Sequence, residues 1–238
     1  MLDKGNIPKH IAVIMDGNGR WAQKQGEERI FGHRNAIQAV RSVTEACAEL
    51  GVQHLTLYAF STENWGRPQA EVDALMTLFV HTIRAEIDTL TKNQIRLGAI
   101  GHLAGLPANC QQELAEAIDL TKENTGLHLI LALNYSGRWE IVNAAKQLIA
   151  KAQAGSLDAD TLNDAQFEAE LNTAGIPDPE LLIRTSGELR ISNFLLWQLA
   201  YTEIFVTETL WPDFNKETLV EAIASYQKRE RRFGKVLA

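Results

Sequence analysis

The chain has 238 residues, 45% of them apolar and 22% charged, a balance that is ordinary for a globular protein with a sizeable core. Its formal net charge of −7 argues against a broad basic face, so nucleic acid is not expected as a partner. The polar N-terminus and the lack of an apolar run near the ~20 residues of a membrane span predict neither a secretory leader nor a transmembrane helix, and the protein is expected in the cytoplasm.

Short apolar runs alternate with amphipathic segments along the chain. The strand-length runs cover residues 11–15, 54–60, 95–100, 127–133, 181–184 and 203–206. Apolar residues at helical spacing follow the first run and stop before Gly51, which predicts a helix ended by a glycine cap. Pro68 marks the start of a helix over 68–92, and further helices are predicted near 107–123, 138–153, 164–173 and 215–232.

This alternation determines the expected fold class. Strands that alternate with helices are usually parallel, and continuously apolar strands belong to a sheet that is covered on both faces. The sequence therefore predicts an α/β fold, a single domain over residues 1–238 with about six mostly parallel strands flanked by helices. In such sheets ligands bind outside the carboxyl ends of the strands.

Polar residues follow four of the predicted strands where each strand ends. These ends read DGNGR from Asp16, STENWGR from Ser61, NYSGR from Asn134 and RTSGELRIS from Arg184. Because the carboxyl ends of parallel strands meet at one edge of a sheet, these residues are expected to form one site.

The first of these loops fits the binding of a phosphate group. Glycines after a strand let backbone N–H groups turn inward and hold phosphate oxygens, and Arg20 could add a bidentate contact. Asp16 would repel a bare phosphate, but Mg²⁺ is commonly held between one or two carboxylates and substrate phosphates. The same residues also fit a plain strand-to-helix turn with Asp16 as the N-cap.

Other phosphate-binding classes fit less well. Gly17, Gly19 and Ala22 satisfy a loose dinucleotide fingerprint, but no acidic residue lies within 36–41, where that fingerprint requires one. No Walker A loop is present. An aspartyl-phosphate hydrolase would be expected to carry a second acid where Asn18 stands.

Several blocks of the sequence resemble the cis-prenyltransferase family, and among its members the bacterial undecaprenyl diphosphate synthases. The blocks occur in order between about His10 and Gly234 and read IMDGNGRWA, GHR, LYAFSTENWGRP, NYSGRWE, IRTSGELRISNFLLWQ and YTEIFVTETLWPDF. Ser136 and Ser186 depart from the family by standing where relatives often have glycine, and little change is expected from either. Leu189 offers no polar group and is given no role.

The resemblance implies a prenyltransferase that adds isopentenyl diphosphate units to farnesyl diphosphate in cis. The product would be a long polyprenyl diphosphate such as undecaprenyl diphosphate, the lipid carrier for the bacterial cell wall. Mg²⁺ is the implied cofactor, with Asp16 and Glu203 as its protein contacts. Asp16 and Asn64 are the implied catalytic residues, and either Asn64 or the departing diphosphate takes the proton.

The resemblance also implies the substrate-binding residues. Arg232 and Gly234 match a C-terminal RxG element that reaches the partner's site, which implies a homodimer. The remaining residues are Gly17, Asn18, Gly19, Arg20, Trp21, Arg29 and His33 for farnesyl diphosphate, Arg184, Arg190 and Ser192 for isopentenyl diphosphate, and Ser61, Thr62, Glu63, Trp65 and Arg67 on the loop after the second strand.

A growing isoprenoid chain needs an apolar tunnel, since burial stabilises each CH₂ by ~0.8 kcal/mol. Strict alternation would put Leu55, Leu57 and Ala59 on one face of the second strand, with Ala59 nearest the site. The apolar residues of the following helix would form the opposite wall, namely Leu75, Met76, Phe79, Val80 and Ile83. Release of such a product implies a peripheral contact with a membrane.

Two rival functions remain open. Some relatives are noncatalytic partner subunits, but these generally lack the aspartate that stands here as Asp16. A diphosphate hydrolase is the enzymatic alternative, and it would release phosphate without isopentenyl diphosphate.

Overall fold

The computed structural model describes residues 2–230 and forms a single α/β domain around one parallel sheet. Arg232 and Gly234 lie outside the described residues. The strands are β1 (His10–Ile14), β2 (His54–Ser61), β3 (Arg96–Ile100), β4 (His128–Tyr135), β5 (Leu181–Arg184) and β6 (Glu203–Val206). Their order in the sheet is β3-β4-β2-β1-β5-β6, and every pairing is parallel. The predicted fold class is confirmed.

The α-helices are α1 (Asn18–Lys24), α2 (Arg29–Leu50), α3 (Gln69–Lys92), α4 (Ala108–Thr121), α5 (Gly137–Gln153), α6 (Asp164–Glu168) and α7 (Lys216–Gln227). Helices α1 to α6 lie in the connections between β1 and β5, and α7 follows β6. As predicted, α2 ends at Gly51, whose φ of 82° is left-handed. No helix within residues 2–230 is long and apolar enough to cross a bilayer.

The predicted helix over 164–173 is shorter in the structure. Asn163 and Gln166 form a capping box that starts α6, but α6 ends at Glu168 and the chain continues in turns. The Asn172 N–H donates to the Glu140 carboxylate at 2.9 Å and not to a helical carbonyl, a contact with α5 that the helix could not make if it continued. The apolar period alone did not reveal this stop.

The two faces of the sheet are covered differently. Helices α2, α3, α4 and α7 contribute buried residues to the larger core, which includes Leu55, Leu57 and Ile183 from the strands. On the opposite face the irregular segment after β5 supplies Phe194 and Leu195. This segment lies close to the carboxyl ends of the central strands, so it takes part both in the core and in the site.

Strand β2 carries a register shift at its carboxyl end. Tyr58 pairs with Ala132 and Phe60 pairs with Leu133, so Ala59 has no partner in the ladder. Phe60 consequently packs in the same core as Leu57. The predicted strict alternation up to Ala59 is wrong for this reason, although Ala59 does line the cavity described next.

Candidate active site

A cavity of about 530 Å³ opens at the carboxyl edge of the central strands. Apart from His33 on α2, the predicted site residues that line it lie at or after the carboxyl ends of β1, β2 or β5, so the structure brings these three polar loops together. Its polar lining consists of Asp16, Asn18, His33, Ser61, Glu63, Asn64, Arg67, Arg184, Ser192 and Asn193, and its apolar lining includes Ile14, Met15, Ala59 and Leu75.

The loop after β1 is shaped by Gly17. Gly17 is the N-cap of α1 with a left-handed φ of 105°, and a Cβ at this position would lie 2.8 Å from the Leu210 side chain. Asp16 therefore does not cap the helix in the predicted manner; its Oδ1 accepts the N–H of Gly17 at 2.7 Å instead. The Thr185 hydroxyl accepts the Asp16 N–H at 2.8 Å and donates to the Asp16 carbonyl at 2.6 Å, which fixes the loop against β5.

A smaller pocket of about 110 Å³ adjoins this loop and carries the donors expected of an anion site. Its floor includes His33, whose Nε2 is buried without a partner, as is Oδ1 of Asn18. Burial, and then the nearby charge of Arg67, lower the pKa of His33 to about 4. The pocket is lined by Met15, Asp16, Gly17, Asn18, Gly19, Arg20, Arg29, His33 and Arg67.

Two arginines of this pocket share one acidic partner. Arg29 Nε and Arg67 Nη1 lie 3.3 and 3.1 Å from the carboxylate of Glu71, on the first turn of α3. Arg29 also lies under the loop, because a Cβ on Gly19 would meet its Nη1 at 2.6 Å. Glu71 was not predicted as a site residue; the sequence offered only its i,i+4 spacing from Arg67.

Asp16 is held in its ionised form. Burial alone would raise the pKa of its carboxyl group, but hydrogen bonds from Arg184 and Gly17 and the charge of Arg20 lower the pKa below its ordinary value. Arg184 Nη2 donates to Asp16 Oδ2 at 2.9 Å. An ionised carboxylate that faces both pockets is a suitable single ligand for Mg²⁺, whose other ligands are usually waters and substrate oxygens.

Arg184 is a buried cation that joins the two halves of the site. Only 4% of the residue is exposed. Its Nη1 donates to Ser192 Oγ at 2.7 Å and to the Arg190 carbonyl, while its Nε is buried without a partner. Charges this deeply buried are retained when they are paired, and the Asp16 carboxylate supplies that pairing.

The loop after β2 forms a 3₁₀ turn over Thr62–Gly66 with a capping box. In this box Asn64 Oδ1 accepts the N–H of Ser61 at 3.2 Å. Trp65 donates its indole N–H to Asn134 at 2.8 Å, and Thr62 bonds Glu63. Ser61, Glu63 and Asn64 line the cavity, while Thr62 and Trp65 do not.

Three further predicted residues lie away from both pockets. The Trp21 indole N–H is bonded to Asp213 at 2.7 Å, so this side chain anchors the loop rather than lining it. The Arg190 side chain is 59% exposed and paired with Glu188. Glu203 begins β6, so it lies at the amino edge of the sheet, where it pairs with Arg229 at 2.7 Å.

Glu203 and Asp16 are therefore not neighbours within one chain. Asp16 follows the carboxyl end of β1, whereas Glu203 is in register with Leu181 at the start of β5. The prediction that both contact one metal ion does not hold inside a single chain. Among residues 2–230 no group of three or more His, Cys, Asp or Glu side chains is arranged to hold a metal ion.

Comparisons with known proteins identify relatives over nearly the whole chain. A family model described as putative undecaprenyl diphosphate synthase matches residues 14–234. The ditrans,polycis-undecaprenyl-diphosphate synthase ((2E,6E)-farnesyl-diphosphate specific) of Pasteurella multocida is 50% identical over 233 residues, 98% of this chain and 97% of that protein.

Solved structures show the same architecture. The lavandulyl diphosphate synthase of Lavandula x intermedia, solved with dimethylallyl diphosphate, has a TM-score of 0.95 and 39% identity over 97% of this chain and 100% of that one. A probable undecaprenyl diphosphate synthase of Campylobacter jejuni has a TM-score of 0.80 and 34% identity, covering 99% and 100%. The matched region contains every residue that lines the two pockets.

Proposed function

The chain belongs to the prenyltransferase family whose model it matches, as its motifs predicted, and from that premise we propose that it is a Mg²⁺-dependent cis-prenyltransferase. It condenses isopentenyl diphosphate onto farnesyl diphosphate and makes a long polyprenyl diphosphate of the undecaprenyl class. The observation that carries the proposal is the ionised Asp16 held between two arginine-lined anion pockets by the buried Arg184.

The diphosphate group of farnesyl diphosphate binds in the smaller pocket. Arg20, Arg29 and Arg67 face it with Asn18 and His33, so positive charge and donors surround the oxygens on which negative charge develops as the allylic C–O bond breaks. Mg²⁺ on Asp16 would neutralise further charge on the leaving diphosphate. The unpartnered Nε2 of His33 supplies one more group toward those oxygens.

Isopentenyl diphosphate binds beside it on Arg184 and Ser192. Holding both substrates in register converts the condensation into an intramolecular step. Arg190 supplies a third contact if its exposed side chain turns from Glu188 toward the ligand. Asn64 faces the cavity and could accept the proton that leaves as the new double bond forms, as could the departing diphosphate.

The product grows along the face of the sheet that α2 and α3 cover. Ala59 and Leu75 form the mouth of this path in the main cavity. Deeper on the same face an almost wholly apolar cavity of about 80 Å³ lies between α2 and α3, lined by residues such as Val40, Ile83 and Leu131. The lipid product would then pass to a membrane surface from a cytoplasmic enzyme.

The enzyme acts as a homodimer. Strand β6 is at the edge of the sheet, and its Ile204 side chain is 41% exposed. Tyr201, just before this strand, is 66% exposed, and exposed apolar residues at a sheet edge favour association with another chain. Glu203 lies at the opposite edge of the sheet from Asp16 in one chain, so a shared metal ion would need Glu203 of a second chain. The proposed RxG contact of Arg232 and Gly234 requires the same assembly.

Incubation with farnesyl diphosphate, labelled isopentenyl diphosphate and Mg²⁺, followed by extraction of labelled lipid, tests the function. A ladder of lipids that differ by five carbons supports it. Release of phosphate without isopentenyl diphosphate would favour the hydrolase, and inactivity until a second chain is added would favour the noncatalytic subunit. Chelation of Mg²⁺ should abolish incorporation, and returning Mg²⁺ should restore it.

A further inference from the structure

Asn193 lies where three polar loops of the carboxyl edge meet. Its Nδ2 donates to Glu63 Oε1 at 2.8 Å and to Ser136 Oγ at 2.7 Å. Its Oδ1 accepts the N–H of Arg138 at 3.0 Å, and its main-chain carbonyl accepts the N–H of Gly137 at 2.7 Å. One side chain thus ties the loop after β5 to the turn after β2 and to the start of α5.

These bonds use the N–H groups of the loop after β4, which was expected to form part of the binding site. The first turn of a helix leaves N–H groups that can hold phosphate. In α5, Gly137 and Arg138 donate to Asn193, and Trp139 donates to Ser136 Oγ at 3.4 Å. Asn193 therefore accepts hydrogen bonds from N–H groups that could otherwise bind a diphosphate. The loop after β4 thus supports the site and does not bind the anion.

The segment that carries Asn193 is strained. Ser192 and Asn193 have left-handed φ values of 48° and 62°. Residues with a Cβ adopt this conformation infrequently, and it persists where surrounding contacts fix it. Here Arg184 donates to Ser192 Oγ at 2.7 Å, Tyr58 OH lies 3.5 Å from the Ser192 carbonyl, and the Asn193 bonds hold the next residue.

From this geometry we infer that Asn193 is a positioning residue for isopentenyl diphosphate, an inference that rests on the proposed function. Asn193 locks residues 192–193 against Glu63 and α5, which keeps the Ser192 hydroxyl beside the Arg184 guanidinium. Loss of the side chain frees Ser192 to leave this position, while the first anion pocket keeps all its groups, since Asn193 does not line it.

Three variants separate the side-chain bonds from the backbone conformation. Asn193→Gly keeps the left-handed backbone without strain but removes every side-chain bond. Asn193→Asp keeps the acceptor for Arg138 but places a carboxylate against Glu63. Gln94→Gly is the control, because Gln94 also has a left-handed φ, of 55°, in the turn between α3 and β3.

The expected result is selective for one substrate. Asn193→Gly and Asn193→Asp should raise KM for isopentenyl diphosphate about tenfold, the loss expected for hydrogen bonds to charged groups, and change KM for farnesyl diphosphate less than about twofold. Glu63→Ala, which removes the acceptor for Asn193 Nδ2, should raise KM for isopentenyl diphosphate in the same direction. Gln94→Gly should leave both values unchanged.

Equal changes in both KM values, or a lower Tm with unchanged KM, would overturn the positioning role. Calorimetric titration with isopentenyl diphosphate reads the same site without turnover. A wild-type protein that binds this ligand but makes no lipid would overturn the proposed function, and the titration would still decide the role of Asn193. A wild-type protein that fails to bind it would overturn both.

Discussion

The ion pair between Asp16 and Arg184 connects charge, burial and chemistry at the scale of single residues. Arg184 needs the Asp16 carboxylate because an unpaired buried guanidinium is costly. Asp16 needs Arg184 to stay ionised in a site where burial opposes its charge. Motifs identified both residues, but the sequence did not indicate that they contact each other, since 168 positions separate them.

Replacing Asp16 tests the metal-assisted step. Asp16→Asn should lower kcat by at least about 10³-fold, because the amide cannot hold Mg²⁺ against the leaving diphosphate. The amide removes the charge that pairs with the buried Arg184, so Tm should fall as well, and thermal melts establish that the variant is still folded at the assay temperature. Steady-state assays and thermal melts measure both quantities, with Asp119→Asn as the control on the exposed Lys122 pair. Normal turnover in a folded Asp16→Asn protein would exclude this role.

Replacing Arg184 tests the assignment of the second anion pocket. Arg184→Gln should chiefly raise KM for isopentenyl diphosphate, since it removes charge-assisted contacts worth roughly 1.5–3 kcal/mol each. Arg190→Gln should have a smaller effect, because its side chain is exposed and paired with Glu188. A change confined to farnesyl diphosphate affinity would show that the two pockets are assigned the wrong way round.

Ser186 illustrates what a motif comparison does not reveal. It stands where relatives often have glycine and was expected to bring little change, and it holds a left-handed φ of 74°. Its hydroxyl and carbonyl accept hydrogen bonds from Arg20. Thr185, Glu71 and Asn193 were missed for a related reason: their roles come from contacts between distant loops, which have no local sequence signal.

At the scale of secondary-structure elements, the main feature is the register shift at the carboxyl end of strand β2. The register shift leaves Ala59 out of the ladder and turns it into the cavity. The strand itself was predictable from its apolar run, but the shift was not, because it depends on how β2 pairs with β4. Ala59 lines the cavity because of this shift and not because of the alternation, and its role in product length stays a prediction.

A larger side chain at Ala59 should shorten the product. Ala59→Leu places three more carbons at the mouth of the proposed path, next to Leu75, and should shift the lipids to fewer isoprene units. Chromatography of extracted lipids measures the distribution. Ala150→Leu, on the exposed outer face of α5, is the size-matched control. An unchanged distribution in a stable Ala59→Leu protein would place the growing chain elsewhere.

At the scale of the whole molecule, the parallel sheet separates two polar edges. The carboxyl edge carries the site, whereas the amino edge carries a row of histidines in register, His10, His54 and His128. Burial, more than any other cause, lowers the pKa of His10 to about 4, and burial with the charge of Arg96 lowers the pKa of His128 to about 4. The parallel arrangement was predictable from the alternation of elements; this row was recognisable only once the register was known.

Acid should destabilise the fold through His10. Its neutral ring donates to the Pro177 carbonyl and accepts from Thr56, so the folded state binds the proton less readily than the unfolded state does. Stability is fully present above the unfolded pKa of 6.5 and is lost as pH falls toward about 4, by on the order of 3 kcal/mol. Urea unfolding at several pH values measures this slope.

His10→Gln should flatten the pH dependence, because the amide donates and accepts but does not titrate. His81→Gln, on the exposed face of α3, should retain the wild-type slope. A slope that His10→Gln leaves unchanged would assign the acid sensitivity to other groups.

Sedimentation at assay concentration tests the proposed homodimer. A dimer is expected, and Ile204→Lys on the exposed edge of β6 should weaken it and lower activity, because it puts a charge on the pairing surface. Ile149→Lys replaces an exposed isoleucine on α5 and should leave the dimer intact. A fully active wild-type monomer would contradict the proposal.

The proposed substrate and metal positions are tested most directly by a crystal structure with Mg²⁺, isopentenyl diphosphate and a farnesyl diphosphate analogue. In this analogue sulfur replaces the oxygen that joins the farnesyl carbon to the diphosphate. We expect the diphosphate of the farnesyl analogue among Arg20, Arg29 and His33, the metal on Asp16, and isopentenyl diphosphate on Arg184 and Ser192. Either diphosphate bound away from the carboxyl edge of the sheet, or a metal ion that does not contact Asp16, would contradict the proposal.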